Sequence, residues 1–200
     1  MDQLDRLAWR ARAGDARALE AVVEATYDQV RRFCATLAGP DAADDLAQET
    51  YIRAIRALPL FRGESSVRTW LLGIARHVSL DEVRAHERRL RRDRAMLIAA
   101  APIVADPSEE VTVLALFARL APDRRAAFVL TQILGQSYDE AAKICQCPVG
   151  TIRSRVARAR SELLELVAAP TGPRQTPGRV PLTQLANRDQ SGLSARSTAV

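Results

Sequence analysis

The segment 137–160 constrains the fold of this chain more than any other stretch of its sequence. Its first part predicts a helix over about 138–145, which Pro148 ends because proline lacks the N–H that a continuing helix needs. A second predicted helix starts near Val149 and continues past Leu163. Two short helices joined by a tight turn are typical of a helix-turn-helix.

The second of these helices has one apolar face and one cationic face. The apolar face recurs at helical spacing, must be buried, and consists of Ile152, Val156, Ala159 and Leu163. The other face consists of Arg153, Ser154, Ala157, Arg158 and Arg160. An arginine-lined second helix is typical of one that enters a DNA major groove, although a merely solvated face is the alternative for this segment alone.

Composition predicts an all-α chain with enough apolar material for a buried core. Of the 200 residues, 48% are hydrophobic and only 4% are aromatic. No run of alternating β-branched residues appears, and the most frequent residues, Ala, Arg and Leu, favour helix. The net charge of +5 at pH 7 suits a polyanionic partner without proving one.

Several classes of protein are disfavoured. The two histidines, His77 and His86, have no nucleophile or carboxylate arrangement that indicates catalysis. The cysteines across the predicted turn, Cys145 and Cys147, lack the further ligands of a metal site, so no metal or cofactor is expected. The most apolar run, 96–105, is too short to span a bilayer. With a charged N-terminus and no secretory signal, the chain is predicted to be cytoplasmic and not an enzyme.

The helical pattern divides into two domains. From residue 2 to about 94 it is nearly continuous, with helices over 15–37 and 42–58, and a third that starts near Ser65 or Ser66 and ends in an arginine-rich stretch. The stripe expected to be buried on the helix 15–37 consists of Leu19, Val22, Val23, Thr26, Val30 and Phe33. Asp41 is the expected N-cap of the second helix. The predicted units are 1–94 as the first domain, 95–110 as a flexible linker, 111–167 as the second domain and 168–200 as a disordered tail.

A second informative motif lies in the predicted helix 42–58. Its inward face consists of Leu46, Thr50, Ala54 and Ala57. Its other face consists of Asp45, Gln48, Glu49 and Ile52. Because a solvated helix usually interleaves both charge signs, this face favours docking onto a basic protein surface, with Ile52 supplying desolvated contact. A solvated face is again the alternative for the motif alone.

Four blocks of sequence occur in a fixed order along the chain. They are Asp44-Asp-Leu-x-Gln-Glu-Thr-Tyr, Phe61-Arg-Gly-Glu-Ser-x-x-x-Thr-Trp-Leu-x-x-Ile-Ala-Arg, Leu120-x-Pro-x-x-Arg-x-x-Phe, and Gly135-x-Ser-Tyr-x-Glu-Ala-Ala with Pro148-Val-Gly-Thr-Ile-Arg-Ser-Arg. Together they resemble an extracytoplasmic-function (ECF) sigma factor, the smallest type of bacterial transcription initiation factor. The resemblance covers about residues 15–166.

The resemblance implies that the first domain binds the clamp helices of the RNA polymerase β′ subunit and reads the −10 promoter element. The implied polymerase-binding residues are Asp44, Asp45, Gln48, Glu49 and Ile52. The loop 61–70 and the helix after it resemble the part that captures an unpaired base. The implied −10 residues are Arg62, Ser65, Ser66, Arg68, Trp70, Arg76, His77 and Arg84. His77 stands where many relatives carry asparagine, and a histidine without a DNA role is the alternative there.

The second domain is implied to read the −35 element. The implied contacts are Thr151, Arg153, Ser154, Arg155, Arg158 and Arg160. Among these, Arg153, Ser154 and Arg158 would reach bases or the groove, and Arg155 and Arg160 would reach phosphates. The implied partners are promoter DNA and core RNA polymerase, through the β′ clamp helices and the β flap, and an anti-sigma factor is common in the family.

The rival interpretation is a transcriptional regulator that binds duplex DNA as a dimer without replacing a sigma factor. It explains residues 120–165 well. It does not explain the acidic face near Asp45 or the loop 61–70, and no phosphoacceptor or ligand-binding region is evident in the sequence.

Overall fold

The computed structural model describes residues 2–97 and 113–168, with side chains described for 2–93 and 113–168. Within these residues all regular structure is helical, so the predicted all-α fold is confirmed. The α-helices are α1 (Gln3–Arg12), α2 (Ala16–Ala38), α3 (Ala43–Ala57), α4 (Val67–Leu97), α5 (Val113–Ala118), α6 (Pro122–Phe128), α7 (Tyr138–Cys145) and α8 (Val149–Ala168), with a 3₁₀ turn over Leu58–Leu60 and a π-helical turn over Val129–Ile133. Most of the predicted linker and of the predicted tail lies outside the described residues.

Helices α1 to α4 form the first bundle around α2. Gly14, with a φ of 97°, separates α1 from α2 in a backbone conformation that favours glycine. Asp15 then caps α2 by accepting a hydrogen bond from the Ala18 N–H at 3.0 Å. The apolar stripe predicted for α2 is the buried one, with Val30 and Phe33 almost fully excluded from solvent. The spacing of apolar residues therefore located this core correctly.

One predicted helix start is wrong, and a second is confirmed to within one residue. Asp41 does not cap α3, because the helix begins at Ala43 after Ala42, and no side chain caps it. The next helix begins at Val67, since the Ser66 hydroxyl accepts a hydrogen bond from the Thr69 N–H at 3.2 Å, as an N-cap does. Helix α4 also continues to Leu97, slightly into the segment predicted as linker.

Helices α5 to α8 form the second bundle and contain the predicted helix-turn-helix. Ser137 and Glu140 form a reciprocal capping box at the start of α7. Gln146 ends α7 in a left-handed conformation with a φ of 52°. The Pro148 carbonyl accepts a hydrogen bond from the Thr151 N–H at 2.9 Å and so opens α8. The turn predicted from proline is thus confirmed, with glutamine as the residue that reverses the chain.

The two bundles pack against each other. Leu130, Ile144 and Ile152 belong to the same buried cluster as the core of the first bundle. At this boundary the Arg125 guanidinium is buried and donates to the Leu37 carbonyl of α2 at 2.6 Å. The described residues through Ala168 accordingly fall within one compact unit, Met1–Ala168.

Burial distinguishes the three cysteines. Cys34 and Cys145 are buried, whereas Cys147 is half-buried. Burial raises the pKa of the Cys34 thiol, and it raises the pKa of Cys145 to about 11. Since a raised pKa favours the protonated thiol, Cys145 is a weaker nucleophile than an ordinary cysteine at pH 8.

We therefore expect iodoacetamide at pH 8 to modify Cys147 well before Cys34 or Cys145 in the folded protein. Mass spectrometry of the alkylated chain measures the order, and the same reaction in concentrated urea should label all three. Equal rates for Cys145 and Cys147 in the folded protein would contradict this description of the core.

Among the residues that the structure describes, no helix combines the length and the apolar character needed to cross a membrane.

Candidate polymerase and promoter interface

The outward face of α3 carries the residues predicted to dock on the polymerase. Asp44 is paired with Arg31, whose Nε lies 2.6 Å from the carboxylate, and this guanidinium holds the pKa of Asp44 below its usual range. Glu49 is paired with Arg53 at 2.7 Å. Asp45 and Gln48 are exposed, and neither has a side-chain partner among the described residues. Asp45 therefore carries the least compensated negative charge of this face.

Two isoleucines give this face an apolar component. Ile52 is 45% exposed, as predicted for a contact residue, and Ile55 beside it is 47% exposed. Sequence reasoning missed Ile55, although its position three residues after Ile52 puts both on one side of the helix. Exposed apolar residues next to Asp45 are typical of a protein interface.

The loop after α3 is built on an aromatic cluster. Phe61 is buried between two tryptophans, with ring centroids 5.9 Å from Trp9 and 5.1 Å from Trp70. Trp70 is thus half-buried against Phe61, with only part of its surface available to a base. Ser65 and Ser66 are also half-buried, whereas Arg62 is exposed. The cluster gives a tight anchor to a loop that presents polar groups at its surface.

The predicted −10 residues of α4 differ in their surroundings. Arg68 is half-buried and donates to the Gln29 side chain at 3.2 Å. Arg84 is exposed. His77 is exposed, and its Nδ1 lies 2.8 Å from the Gly73 carbonyl. A core role for this histidine is therefore excluded.

Asp123 joins two arginines that sequence reasoning assigned to separate DNA elements. Its carboxylate accepts from Arg76 of α4 at 2.5 Å and from Arg155 of α8 at 3.1 Å. Arg76 is 8% exposed and Arg155 is half-buried. In this arrangement both guanidinium groups are paired with Asp123, so their assignment as DNA contacts stays a prediction that requires each pairing to break. The pairing of Arg76 follows from the packing of α4 against the second bundle, which carries both Asp123 and Arg155.

The remaining predicted residues of α8 lie on its outer face. Arg153, Ser154 and Arg158 are exposed, and Thr151 is half-buried. Arg160 is exposed and donates to the Gln132 side chain at 2.9 Å. The buried face of the helix is the predicted one, with Ile152, Val156 and Ala159 in the core. The α8 surface thus offers uncompensated cations, as a helix in a DNA groove requires.

Comparison with known proteins places the two bundles in one family. Residues 22–89 match the model described as Sigma-70 region 2, and residues 111–163 match the one described as Sigma-70, region 4. The ECF RNA polymerase sigma factor SigC of Mycobacterium tuberculosis is 50% identical over 162 residues, which cover 79% of this chain and 88% of SigC. The ECF RNA polymerase sigma-E factor of Escherichia coli is 33% identical over 77% of this chain and 88% of its own length.

Solved structures agree in fold. CnrH, in complex with the cytosolic domain of CnrY, aligns with a TM-score of 0.65 and 26% identity over 84% of this chain and 99% of its own. RpoE of Bartonella quintana, in complex with the anti-sigma factor NepR, aligns with a TM-score of 0.60 and 29% identity over 76% of this chain and 97% of its own. The match to region 2 excludes the alternative of a dimeric regulator, because such a regulator does not account for the first bundle. The chain belongs to the ECF sigma factors, the transcription initiation factors that direct core RNA polymerase to promoters.

Proposed function

We propose that promoter recognition by this chain is divided among three surfaces. The outer face of α3, around Asp45 and Ile52, docks on core RNA polymerase. The loop 61–66 and the following turns of α4 read the −10 element, and the outer face of α8 reads the −35 element. The observation that supports this division best is that one chain carries two different exposed faces. The face on α3 presents carboxylates and isoleucines, and the face on α8 presents arginines.

The domain assignment follows the same division. Residues 1–94 form the unit for polymerase binding and the −10 element, and residues 111–167 form the unit for the −35 element. The chain makes or breaks no covalent bond in this scheme, because nucleotide addition belongs to the core enzyme. Its place of action is the cytoplasm, where polymerase and promoter DNA are found.

Arg76 and Arg155 can contact DNA only after a change in their present hydrogen bonds. Arg76 is bound to Asp123 of the second bundle, so it can contact DNA only in a conformation in which α4 and the second bundle have separated. Arg155 lies in the same bundle as Asp123, so it needs only to release that carboxylate. The exposed arginines of α8, Arg153 and Arg158, need no such change.

A protein partner that holds the factor inactive is also proposed. The aligned structures of CnrH and RpoE are complexes, RpoE with a protein named as its anti-sigma factor. The similar fold of this chain supports an anti-sigma partner of the same general kind.

Arg158 and Arg160 allow the −35 assignment to be tested. We expect Arg158→Ala to relax base preference in the −35 element, because one bidentate arginine–guanine pair discriminates by about 1–3 kcal/mol. Arg160→Ala should weaken consensus and scrambled elements alike and flatten the salt dependence, as the loss of a phosphate contact does. The measurement is run-off transcription by the reconstituted holoenzyme on consensus and −35-scrambled promoters at several salt concentrations. If Arg158→Ala reduces transcription from both promoters equally, Arg158 does not read a base.

A further inference from the structure

Helix α1 precedes the residues that match region 2, yet it contacts the loop 61–66 and its helix at several points. We infer that α1 is a positioning element for the −10 reading loop, and that Asp5, Trp9 and Arg12 hold the loop in the shape that accepts an unpaired base. The inference rests on the proposed role of the loop in reading the −10 element.

The first contact fixes the start of α4. The Asp5 carboxylate accepts a hydrogen bond from the Val67 N–H at 2.8 Å, across 62 positions of sequence. Val67 is the first residue of α4, whose N–H has no partner within the helix. Asp5 thus satisfies a donor at the N-terminus of α4 and places a negative charge near the positive end of the helix dipole. The end of the loop is thereby tied to α1.

The second contact fixes the beginning of the loop. The Arg12 Nη1 donates to the Phe61 carbonyl at 2.9 Å. Its guanidinium carbon also lies 4.9 Å from the centroid of the Trp9 ring, within the range of a cation–π interaction. Arg12 therefore links the loop backbone and the aromatic cluster to one side chain of α1.

The third contact lies under the middle of the loop. A Cβ placed on Gly63 would lie 2.9 Å from the Trp9 Cζ2, and the φ of Gly63 is 69°, a value that favours glycine. The loop backbone therefore lies directly on the Trp9 ring. Open clefts flank the loop, and the one on the α1 side is lined by Asp5, Trp9, Phe61, Gly63, Ser65 and Ser66.

These contacts hold the loop at both ends and at its centre. A pocket that selects one unstacked base must keep its hydrogen-bonding groups in place, and a loop without support would lose selectivity before it lost affinity for the strand. Since the supports come from α1, changes in α1 should alter base preference at the −10 element without any change to the loop sequence.

The variant Arg12→Met tests whether α1 positions the loop, because methionine keeps an unbranched apolar chain and removes the hydrogen bond to the Phe61 carbonyl. Arg10→Ala is the matched control, since Arg10 lies on the same helix but pairs with Asp15 at 2.7 Å and not with the loop. The measurement is run-off transcription by the reconstituted holoenzyme, on one promoter that the wild-type factor transcribes and on variants substituted singly through the −10 or the −35 element. We expect Arg12→Met to reduce discrimination among the −10 variants roughly fivefold, the worth of one hydrogen bond, and to leave −35 discrimination unchanged.

A second pair of variants separates positioning from general destabilisation. Asp5→Ala should reduce −10 discrimination as Arg12→Met does, whereas Asp5→Asn keeps an acceptor for the Val67 N–H and should recover most of it. Both tryptophans of the chain lie at the loop, so their fluorescence reports on its packing. We expect the emission of Arg12→Met to shift to the red and that of Arg10→Ala to stay unchanged.

Each alternative gives a different result. If Arg12 binds a DNA phosphate, Arg12→Met weakens every −10 variant equally, and the inference fails. If −10 discrimination in Arg12→Met and Asp5→Ala equals that of the wild type, the inference also fails while the proposed function stands. If wild-type transcription does not depend on the −10 sequence, the proposed role of the loop itself is wrong.

Discussion

Replacing Asp45 with arginine should weaken binding to core RNA polymerase roughly a hundredfold, because a like charge brought against a basic interface costs several kcal/mol. Asp45 is the carboxylate of the α3 face that no cation in the described chain neutralises, whereas Asp44 already pairs with Arg31. We therefore expect Asp44→Asn to have a smaller effect than Asp45→Asn. Binding is measured by fluorescence anisotropy of the labelled factor titrated with core enzyme.

Glu165→Arg is the matched control for this prediction. It introduces the same change of charge on an exposed position of α8, near the helix C-terminus, where a cation is favourable. The control should bind core enzyme within about twofold of the wild type, since isolated surface charges contribute little. Ile52→Ala should weaken binding without any change of charge. Wild-type affinity in both Asp45→Arg and Ile52→Ala would place the docking surface elsewhere.

The largest effect on stability is expected at Arg125. Its guanidinium donates to three main-chain carbonyls, those of Leu37 at 2.6 Å, Ala118 at 2.6 Å and Leu120 at 3.0 Å. Arg125→Ala leaves these acceptors without their donor and opens a cavity between the bundles. We expect the free energy of unfolding to fall by about 3 kcal/mol, in the range for lost hydrogen bonds to a charged group.

The neighbouring Arg124 provides the control. It is half-buried and pairs with Glu162 at the surface of the second bundle, so Arg124→Ala should cost less than about 1 kcal/mol. Urea denaturation followed by circular dichroism measures both variants. Arg125→Lys, which keeps the charge but loses the forked geometry, should fall between Arg125→Ala and the wild type. Equal midpoints for Arg124→Ala and Arg125→Ala would show that the buried guanidinium does not hold the bundles together.

The local parts of the fold were predictable because their signals lie close together in sequence. Helical spacing identified the buried faces of α2 and α8, and Pro148 marked the end of α7. Asp41 shows the limit of such rules. It satisfies the usual pattern for an N-cap, but the chain after Pro40 turns once more before α3 begins, so Ala42 takes the capping position.

The candidate site was predicted less completely, since its most constrained parts depend on distant residues. Arg76 looked available to DNA because spacing along α4 gives no information on a carboxylate 47 positions away. Local sequence pattern likewise gives no information on the hydrogen bond from the Val67 N–H to the Asp5 carboxylate. The exposed arginines of α8 and the α3 face were located correctly as surfaces, because amphipathic spacing settles which side of a helix is buried.

Run-off transcription with purified core RNA polymerase shows whether this chain directs the enzyme to promoters. The full-length chain, core enzyme and a library of promoter fragments are combined, and the 5′ ends of the transcripts are sequenced. We expect transcripts that start at a defined distance from shared −10 and −35 elements, present with the wild-type chain and lost with Asp45→Arg. If core enzyme with this chain gives no promoter-specific transcripts, while the chain alone binds promoter duplex tightly, the proposed division of promoter recognition is wrong.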